Sequence, residues 1–206
     1  MLQKKDKKQE TEETEQDEQS VVDLLGALSK GPEQRSIMFV GELNEEKAAD
    51  LISALLVLSQ EKAEDGGRAD DIKLYISTYG GSAHEMFGIY DVMNFCKSFC
   101  DIETIGIGKV MSAGTLLLAA GTEGKRKLGK NCQVMIHSVN GGSMGELHNL
   151  ENEMEQMKNL QDMYIQCLSN ETSMTKRQIQ TLINRKVNVY LSSSEAIEKG
   201  LADEVL

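Results

Sequence analysis

Short apolar runs and segments of helical periodicity alternate along this chain from residue 36 onward. An apolar run at 36–40 is typical of a buried strand, and apolar residues recur at helical spacing over 44–64, where Asn44 is the predicted N-cap. The further predicted elements are strands at 72–76, 102–107 and 134–137, and helices at 86–99 and 112–120. Because strand and helix alternate with short connections, the pattern predicts βαβ units and a mostly parallel sheet in an α/β fold.

A longer helix is predicted at about 146–168. Large residues recur there at alternating spacings of three and four, like the a and d positions of a coiled coil. The seam positions are Leu147, Leu150, Met154, Met157, Gln161, Tyr164 and Leu168. Such a seam packs either on its own domain or against a partner chain, and the glycine-rich and polar loops beside it favour a partner.

The first twenty residues carry no hydrophobic pattern. After Leu2 the next apolar residue is Val21, and the residues between them are polar or charged. We interpret 1–20 as a disordered acidic N-terminal tail and 21–206 as one folded domain. The basic start is followed by no apolar run, which excludes a signal peptide, and no segment approaches the ~18 apolar residues of a membrane helix. The expected location is therefore the cytoplasm.

Composition narrows the possible partners and cofactors. Acidic residues outnumber basic ones by 33 to 22, and the formal net charge is −11. Because nucleic-acid affinity rests on Lys and Arg that neutralise phosphates, this charge argues against nucleic acid and anionic membranes as partners. The four cysteines form no CxxC pair, and Cys and His are not clustered at zinc-ligand spacing, so neither a metal site nor a cofactor is predicted.

Three glycine-containing turns follow predicted strands and carry the candidate chemistry. Gly80 and Gly81 expose backbone N–H groups at a strand-to-helix junction, which suits an oxyanion or phosphate cradle but also a plain tight turn. Ser112, next to the small Ala113, begins a predicted helix and is either an N-cap or a nucleophile. His137 ends an apolar strand and is either a structural histidine or the base that such a nucleophile needs.

Together these turns resemble the Clp protease family of proteolytic subunits, ClpP. The resemblance covers about 35–206 and rests on three segments: LYISTYGGSAHEMFGIYDVMNFCK, IGIGKVMSAGTLLLAAGTEGKRKLGKNCQVMIH and YLSSSEAIEKGLADEVL. It implies a ClpP/crotonase-like βαβ superhelix with a protruding handle helix, matched here by 146–168. It also implies an ATP-independent serine peptidase that forms stacked heptameric rings, homo- or hetero-oligomeric, around a closed chamber and cleaves unfolded proteins or peptides. A Clp-type AAA+ unfoldase is a further implied partner.

The resemblance also assigns roles to residues. Ser112 matches the nucleophile and His137 the general base, while Gly81 and Ala113 match the residues whose N–H groups form the oxyanion hole. The residues that match the substrate-binding strand and loop are Ser138, Val139, Gly141 and Gly142. The wider crotonase superfamily offers a different interpretation, in which the same N–H groups polarise the thioester of an acyl-CoA. This interpretation would leave the serine and the histidine without a role.

The third triad position departs from the family pattern. The family has an Asp two residues before the aromatic residue that opens the terminal LS motif, here Tyr190, and this chain has Asn188 there. An amide accepts a hydrogen bond from imidazole but offers no negative charge to an imidazolium. We therefore expect an attenuated peptidase. The alternative is an inactive or regulatory, ClpR-like ring subunit that assembles with active chains.

Surface positions match the family only in part. Tyr75 and Phe95 match aromatic residues of the groove in which unfoldase loops dock, whereas Lys73 replaces a neighbouring aromatic residue. Lys186 and Val187 stand where the family has an acid and an arginine that pair between rings. The resemblance therefore predicts both kinds of contact in a weakened form.

Overall fold

The structure is a computed structural model, and it describes residues 35–61, 67–142, 144–185 and 187–206. These residues carry a compact unit, Ile37–Leu206. The predicted acidic tail, the domain boundary at residue 21 and the side chain of Lys186 lie outside the described residues, so the expectations that concern them stay predictions.

Strands and helices alternate over most of the described chain, as the hydrophobic pattern predicts. The strands are β1 (Ser36–Leu43), β2 (Ile72–Gly81), β3 (Ile102–Met111), β4 (Arg126–Leu128), β5 (Gln133–Ile136), β6 (Val189–Leu191) and β7 (Glu204–Val205). The helices are α1 (Glu45–Gln60), α2 (Ala83–Cys96), α3 (Ala113–Ala119), α4 (Leu147–Glu171), α5 (Lys176–Ile183) and α6 (Ser193–Glu198). The Asn44 side chain caps α1 by accepting a hydrogen bond from the Lys47 N–H at 2.9 Å.

The sheet is mostly parallel, which confirms the predicted α/β class. Its strands run in the order β1-β2-β3-β4-β7, with β5 paired to β3 and β6 paired to β5. Strand β3 divides its pairing, since residues near Thr104 pair with β4 and residues near Val110 pair with β5. The chain bends between these halves at Gly108, whose φ is 67°. The carboxyl ends of β2, β3 and β5 consequently lie at one edge of the sheet.

Helix α3 lies in the hydrophobic core, and all seven of its residues are buried. Its sequence, AGTLLLA, is apolar or small on every face, as a fully buried helix requires. A Cβ on Gly114 would lie 2.5 Å from the Thr78 Cγ2 atom, so the glycine allows α3 to pack directly on β2. This contact fixes the start of α3 beside the end of β2. Cys96 and Cys100 are buried in the same core, and neither forms a disulfide.

The long helix α4 has a divided environment. At its carboxyl end the seam residues Tyr164 and Leu168 are buried in the core of the chain. Towards its amino end Leu147 and Met154 are 68% and 60% exposed. The seam therefore packs on its own domain over the last turns, and the first turns leave an apolar face that a partner could cover.

Candidate active site

The end of β2 requires glycine at two successive positions. Gly80 and Gly81 have φ values of 104° and 152°, which side chains other than hydrogen rarely permit. A Cβ on Gly81 would lie 2.1 Å from the Leu43 carbonyl oxygen, and one on Gly80 would lie 2.5 Å from the Ser112 Cβ. The Gly80 N–H donates to the Thr78 hydroxyl oxygen at 2.9 Å. The turn is thus held tightly against Ser112.

Ser112 connects β3 to α3 in a strained conformation. Its φ is 54°, and it is the one non-glycine residue with a positive φ in the part of the chain that the structure describes. Its N–H donates to the Met135 carbonyl at 2.8 Å, which ties it to β5. Its side chain makes no capping hydrogen bond with α3. Of the two interpretations that the sequence left open, this geometry disfavours the N-cap.

The Ser112 hydroxyl instead faces His137. The parallel register pairs Met111 with Met135, so both strands end at the same edge and the residues that follow them come together. The Ser112 Oγ lies 2.7 Å from the His137 Nε2. This is hydrogen-bonding distance, and it is the geometry that a hydroxyl nucleophile and an imidazole base would require.

Burial lowers the pKa of His137 below its ordinary value of 6.5. The imidazole is therefore neutral near pH 7, and its unprotonated nitrogen can accept a proton. No carboxylate contributes to this shift. The site therefore has a base in the correct protonation state but lacks the negative charge that normally stabilises its protonated form.

A pocket of about 140 Å³ opens at the serine and the histidine. It is lined by Gly81, Ser82, Ala83, Met86, Ser112, Ala113, His137, Ser138, Val139, Asn140 and Tyr164. The structure thus brings together both oxyanion candidates, the candidate nucleophile, the candidate base and two of the predicted substrate-binding residues. Among the pocket residues that sequence reasoning missed is Tyr164, which the heptad pattern identified only as a seam position. The signal that the sequence offered was a phenol at one position of a mostly apolar seam.

Comparison with known protein families decides the identity. Residues 15–206 match the profile of the family described as Clp protease. The chain belongs to the Clp protease family. This family implies a ClpP-like serine peptidase, a hydrolase that acts in proteolysis, and its members generally form oligomeric rings.

In this Clp protease, the β5–β6 register is the observation that relates Asn188 to His137. Strands β5 and β6 are antiparallel, and Ile136 pairs with Val189. Continued by one residue, the same register sets position 137 opposite position 188 on one face of the ladder. Within the described residues, no hydrogen bond joins the Asn188 side chain to the imidazole, and Asn188 is exposed.

The other two predicted substrate-binding residues lie beside a neighbouring groove of about 460 Å³. Gly141 and Gly142 line it together with Val139, which the active-site pocket also contains. The opposite wall is helix α4, with Leu150, Met154, Met157 and Gln161 among its residues. The segment after His137 therefore runs from the active-site pocket along the handle-like helix.

The two aromatic residues of the predicted docking groove lie apart from the active-site pocket. Phe95 is 51% exposed near the end of α2 and makes an edge-to-face contact with Phe99, with ring centroids 5.2 Å apart. Tyr75 is half-buried in β2. Both are surface-accessible, and their role in docking stays a prediction.

Two other sequence predictions concern metals and membranes. In the described ranges no group of three or more His, Cys, Asp or Glu residues is placed to hold a metal ion. In the same ranges no helix is both long and apolar enough to cross a membrane.

Proposed function

We propose that this chain is the serine peptidase subunit of a ring-shaped Clp-type protease, and that it cleaves peptide bonds without ATP through an acyl-enzyme. The observation that supports this most directly is the 2.7 Å separation between the Ser112 Oγ and the His137 Nε2 at the mouth of a pocket. A histidine that only packs in the core is not expected to lie within hydrogen-bonding distance of a strained, partly accessible serine.

The proposed reaction follows from these two side chains. His137 Nε2 removes the hydroxyl proton while Ser112 Oγ attacks the peptide carbonyl carbon. The tetrahedral intermediate collapses when His137 returns that proton to the leaving amine, and the acyl group remains on the serine. Water then gives a proton to His137 and attacks the ester, and the departing serine recovers its proton.

The negative oxygen of the intermediate is assigned to the N–H groups of Gly81 and Ala113. Both residues line the pocket beside Ser112. Ala113 is the first residue of α3, and N–H groups in the first turn of a helix have no acceptor within the helix. Donors of this kind, fixed before the reaction, are a major source of rate acceleration in acyl transfer.

The substrate is proposed to be an extended peptide. Residues 138–142 follow β5 without entering a helix, and Ser138, Val139, Gly141 and Gly142 line the pocket and the adjacent groove. An extended segment of this kind offers main-chain N–H and C=O groups to a peptide strand. Unfolded proteins and short peptides present such strands, whereas folded proteins do not.

Asn188 is proposed to hold the third triad position. The β5–β6 register supports this assignment, and its amide oxygen could accept a hydrogen bond from the second imidazole nitrogen. It would orient the ring without stabilising the imidazolium. We therefore propose an active site that functions at a reduced rate, in a homo- or hetero-oligomer of stacked heptameric rings that could also receive substrate from an AAA+ unfoldase.

One observation favours a second candidate function, a non-catalytic ring subunit. Asn188, at the proposed third triad position, carries no charge, is exposed and makes no hydrogen bond to the His137 imidazole. Co-expression with an active Clp subunit followed by native mass spectrometry tests this candidate. Mixed rings in which only the partner chain reacts with an active-site probe would support it.

The decisive experiment for the peptidase is covalent labelling. Purified protein should react with a fluorophosphonate at Ser112 and should hydrolyse a fluorogenic peptide. Ser112→Ala should abolish both signals, while Ser98→Ala, at an exposed serine that does not line the active-site pocket, should retain both. A protein that neither labels nor cleaves, alone or in mixed rings, would exclude the proposed activity.

A further inference from the structure

A buried hydroxyl pair connects helix α4 to the nucleophile. The Tyr164 hydroxyl lies 2.5 Å from the Thr115 Oγ1, and the Thr115 Oγ1 donates to the Ser112 carbonyl at 2.6 Å. Tyr164 also lies within reach of the same carbonyl, at 3.3 Å. Thr115 is fully buried and Tyr164 is 4% exposed, so neither group competes with bulk water for these bonds.

The number of hydroxyl protons decides which group of this pair donates to which acceptor. Thr115 has one hydroxyl proton, and the 2.6 Å contact directs it to the Ser112 carbonyl. The Tyr164 proton is then free for the Thr115 oxygen, with a weaker shared contact to the carbonyl. Burial raises the pKa of Tyr164 to about 12, so the phenol keeps its proton at any physiological pH.

The Ser112 carbonyl belongs to the peptide unit that carries the Ala113 N–H. A trans peptide is planar, and its C=O and N–H bonds point in opposite directions. Hydrogen bonds that hold the carbonyl on the core side therefore hold the N–H on the other side, where Ala113 lines the pocket. The Thr115 backbone N–H also donates to this carbonyl, at 2.9 Å, so the two hydroxyls add to a backbone restraint on a peptide unit that follows a strained positive φ.

We propose that Tyr164 and Thr115 are positioning residues that aim the Ala113 N–H at the oxyanion through the Ser112 carbonyl. This inference rests on the proposed peptidase function and adds two residues to it. Neither residue needs to touch the reacting atoms. The seam position of Tyr164 also means that α4 contributes to transition-state stabilisation and not only to packing.

The test combines two isosteric variants. Tyr164→Phe and Thr115→Val each leave one hydroxyl able to bond the carbonyl, so each should lower kcat by roughly three- to tenfold with KM unchanged. The double variant removes both hydroxyls and leaves only the Thr115 N–H on the carbonyl, and its loss should exceed the product of the two single losses. Thr115→Ser restores a hydroxyl and should recover most of the rate.

Three further readouts separate positioning from packing. Affinity for a peptide boronate, which places a tetrahedral oxyanion in the site, should fall with kcat, whereas affinity for an uncleavable peptide should not. The pH midpoint set by His137 should not move. Ile165→Val, a packing change at the next buried residue of α4, should leave kcat and boronate affinity unchanged. Equal losses in the packing control, or strictly multiplicative losses in the double variant, would overturn the proposal.

The experiments distinguish failure of the proposed peptidase function from failure of the positioning role. If the unmodified protein does not label at Ser112, the peptidase assignment fails, and a crystal structure of the double variant still decides the positioning role. Rotation of the peptide unit between Ser112 and Ala113 would support that role, and an unchanged peptide unit would refute it. If Thr115→Val does not fold, the kcat loss in Tyr164→Phe, set against Ile165→Val, decides the question.

Discussion

His137 and Asn188 flank the last pair of the antiparallel ladder between β5 and β6. That pair is Ile136 with Val189, so position 137 directly follows β5 and position 188 directly precedes β6. Continued by one residue, the register would set the two positions opposite each other, whereas the Asn188 side chain is exposed and makes no hydrogen bond to the imidazole. Under the proposed assignment, an amide takes the place from which a carboxylate would support the imidazole, and the next two predictions test that assignment.

Asn188→Asp should raise the peptidase rate. A carboxylate at this position would stabilise the imidazolium that forms in the transition state, whose loss in Ser-His-Asp enzymes costs about four orders of magnitude. Because Asn188 is exposed and makes no hydrogen bond to the imidazole, we expect a smaller gain of at least about tenfold in kcat. Steady-state hydrolysis of a fluorogenic peptide measures it, with Asn188→Ala as the control that removes both oxygen and charge. Complete loss of activity in the Asp variant would mean that Asn188 is not the triad position.

The pH dependence of kcat/KM should report the low pKa of His137. The base works when neutral, so activity is present above its pKa and is lost as the pH falls through it. Because burial holds that pKa below 6.5, the midpoint of the acid limb should lie below pH 6.5 in the unmodified protein. In Asn188→Asp the added negative charge favours the imidazolium and should move the midpoint upward. A midpoint at or above 6.5 before substitution would contradict the burial argument.

Gly80→Ala should damage both stability and labelling. The new Cβ would lie 2.5 Å from the Ser112 Cβ, and the φ of 104° disfavours any side chain. We expect a destabilisation of about 2 kcal/mol and a slower reaction of Ser112 with a fluorophosphonate. Chemical denaturation and labelling kinetics measure the two effects.

Gly88→Ala is the matched control for that change. Gly88 lies within α2, and its nearest neighbour to an added Cβ is 3.9 Å away. Alanine is a better helix former than glycine, so this variant should be more stable by about 0.5–1 kcal/mol and should label normally. Equal damage in both variants would show that the Gly80 effect is not local to the site.

Met154→Glu should weaken assembly without unfolding the chain. Met154 is 60% exposed at the amino-terminal half of α4, so a charge there costs little within one protomer. If a partner helix covers this face, as the proposed stacked rings require, the charge would be buried in the interface and the assembly would lose mass in analytical ultracentrifugation. Met163→Glu places the same charge on the same helix away from the seam, at a 49% exposed side chain, and should assemble normally. Identical masses for both variants and the unmodified protein would argue against a seam interface.

Much of the fold follows from local patterns. The Asn44 cap, the helix after it and the alternation of strands with helices are properties of neighbouring residues, and the structure confirms them. The pattern predicts neither β4 nor α5. The sequence of β4, RKL, is mostly charged, and it is a strand because it pairs with β3 and β7 and because Arg126 forms a buried ion pair with Asp203. Such pairing involves residues distant in sequence, which local periodicity does not contain.

The candidate site shows the same division. The sequence contains a glycine turn, a serine beside small residues and a histidine at a strand end, in that order. These residue types were sufficient to propose a nucleophile and a base, and to indicate the family. The sequence alone left the serine open as an N-cap, and the hydroxyl proved to face His137. The sequence assigned Tyr164 only to a helix seam, whereas the structure places it at the pocket.

The sequence by itself therefore determined the α/β class, the family and the identity of the candidate nucleophile and base, because these depend on side-chain chemistry and short-range spacing. Tertiary structure alone decided that Ser112 and His137 lie 2.7 Å apart, and that Tyr164 and Thr115 contact the Ser112 carbonyl. These relations depend on the register of β3 and β5 and on the packing of α4 against α3. Register and packing are set by the whole core at once, and no single segment of the chain encodes them.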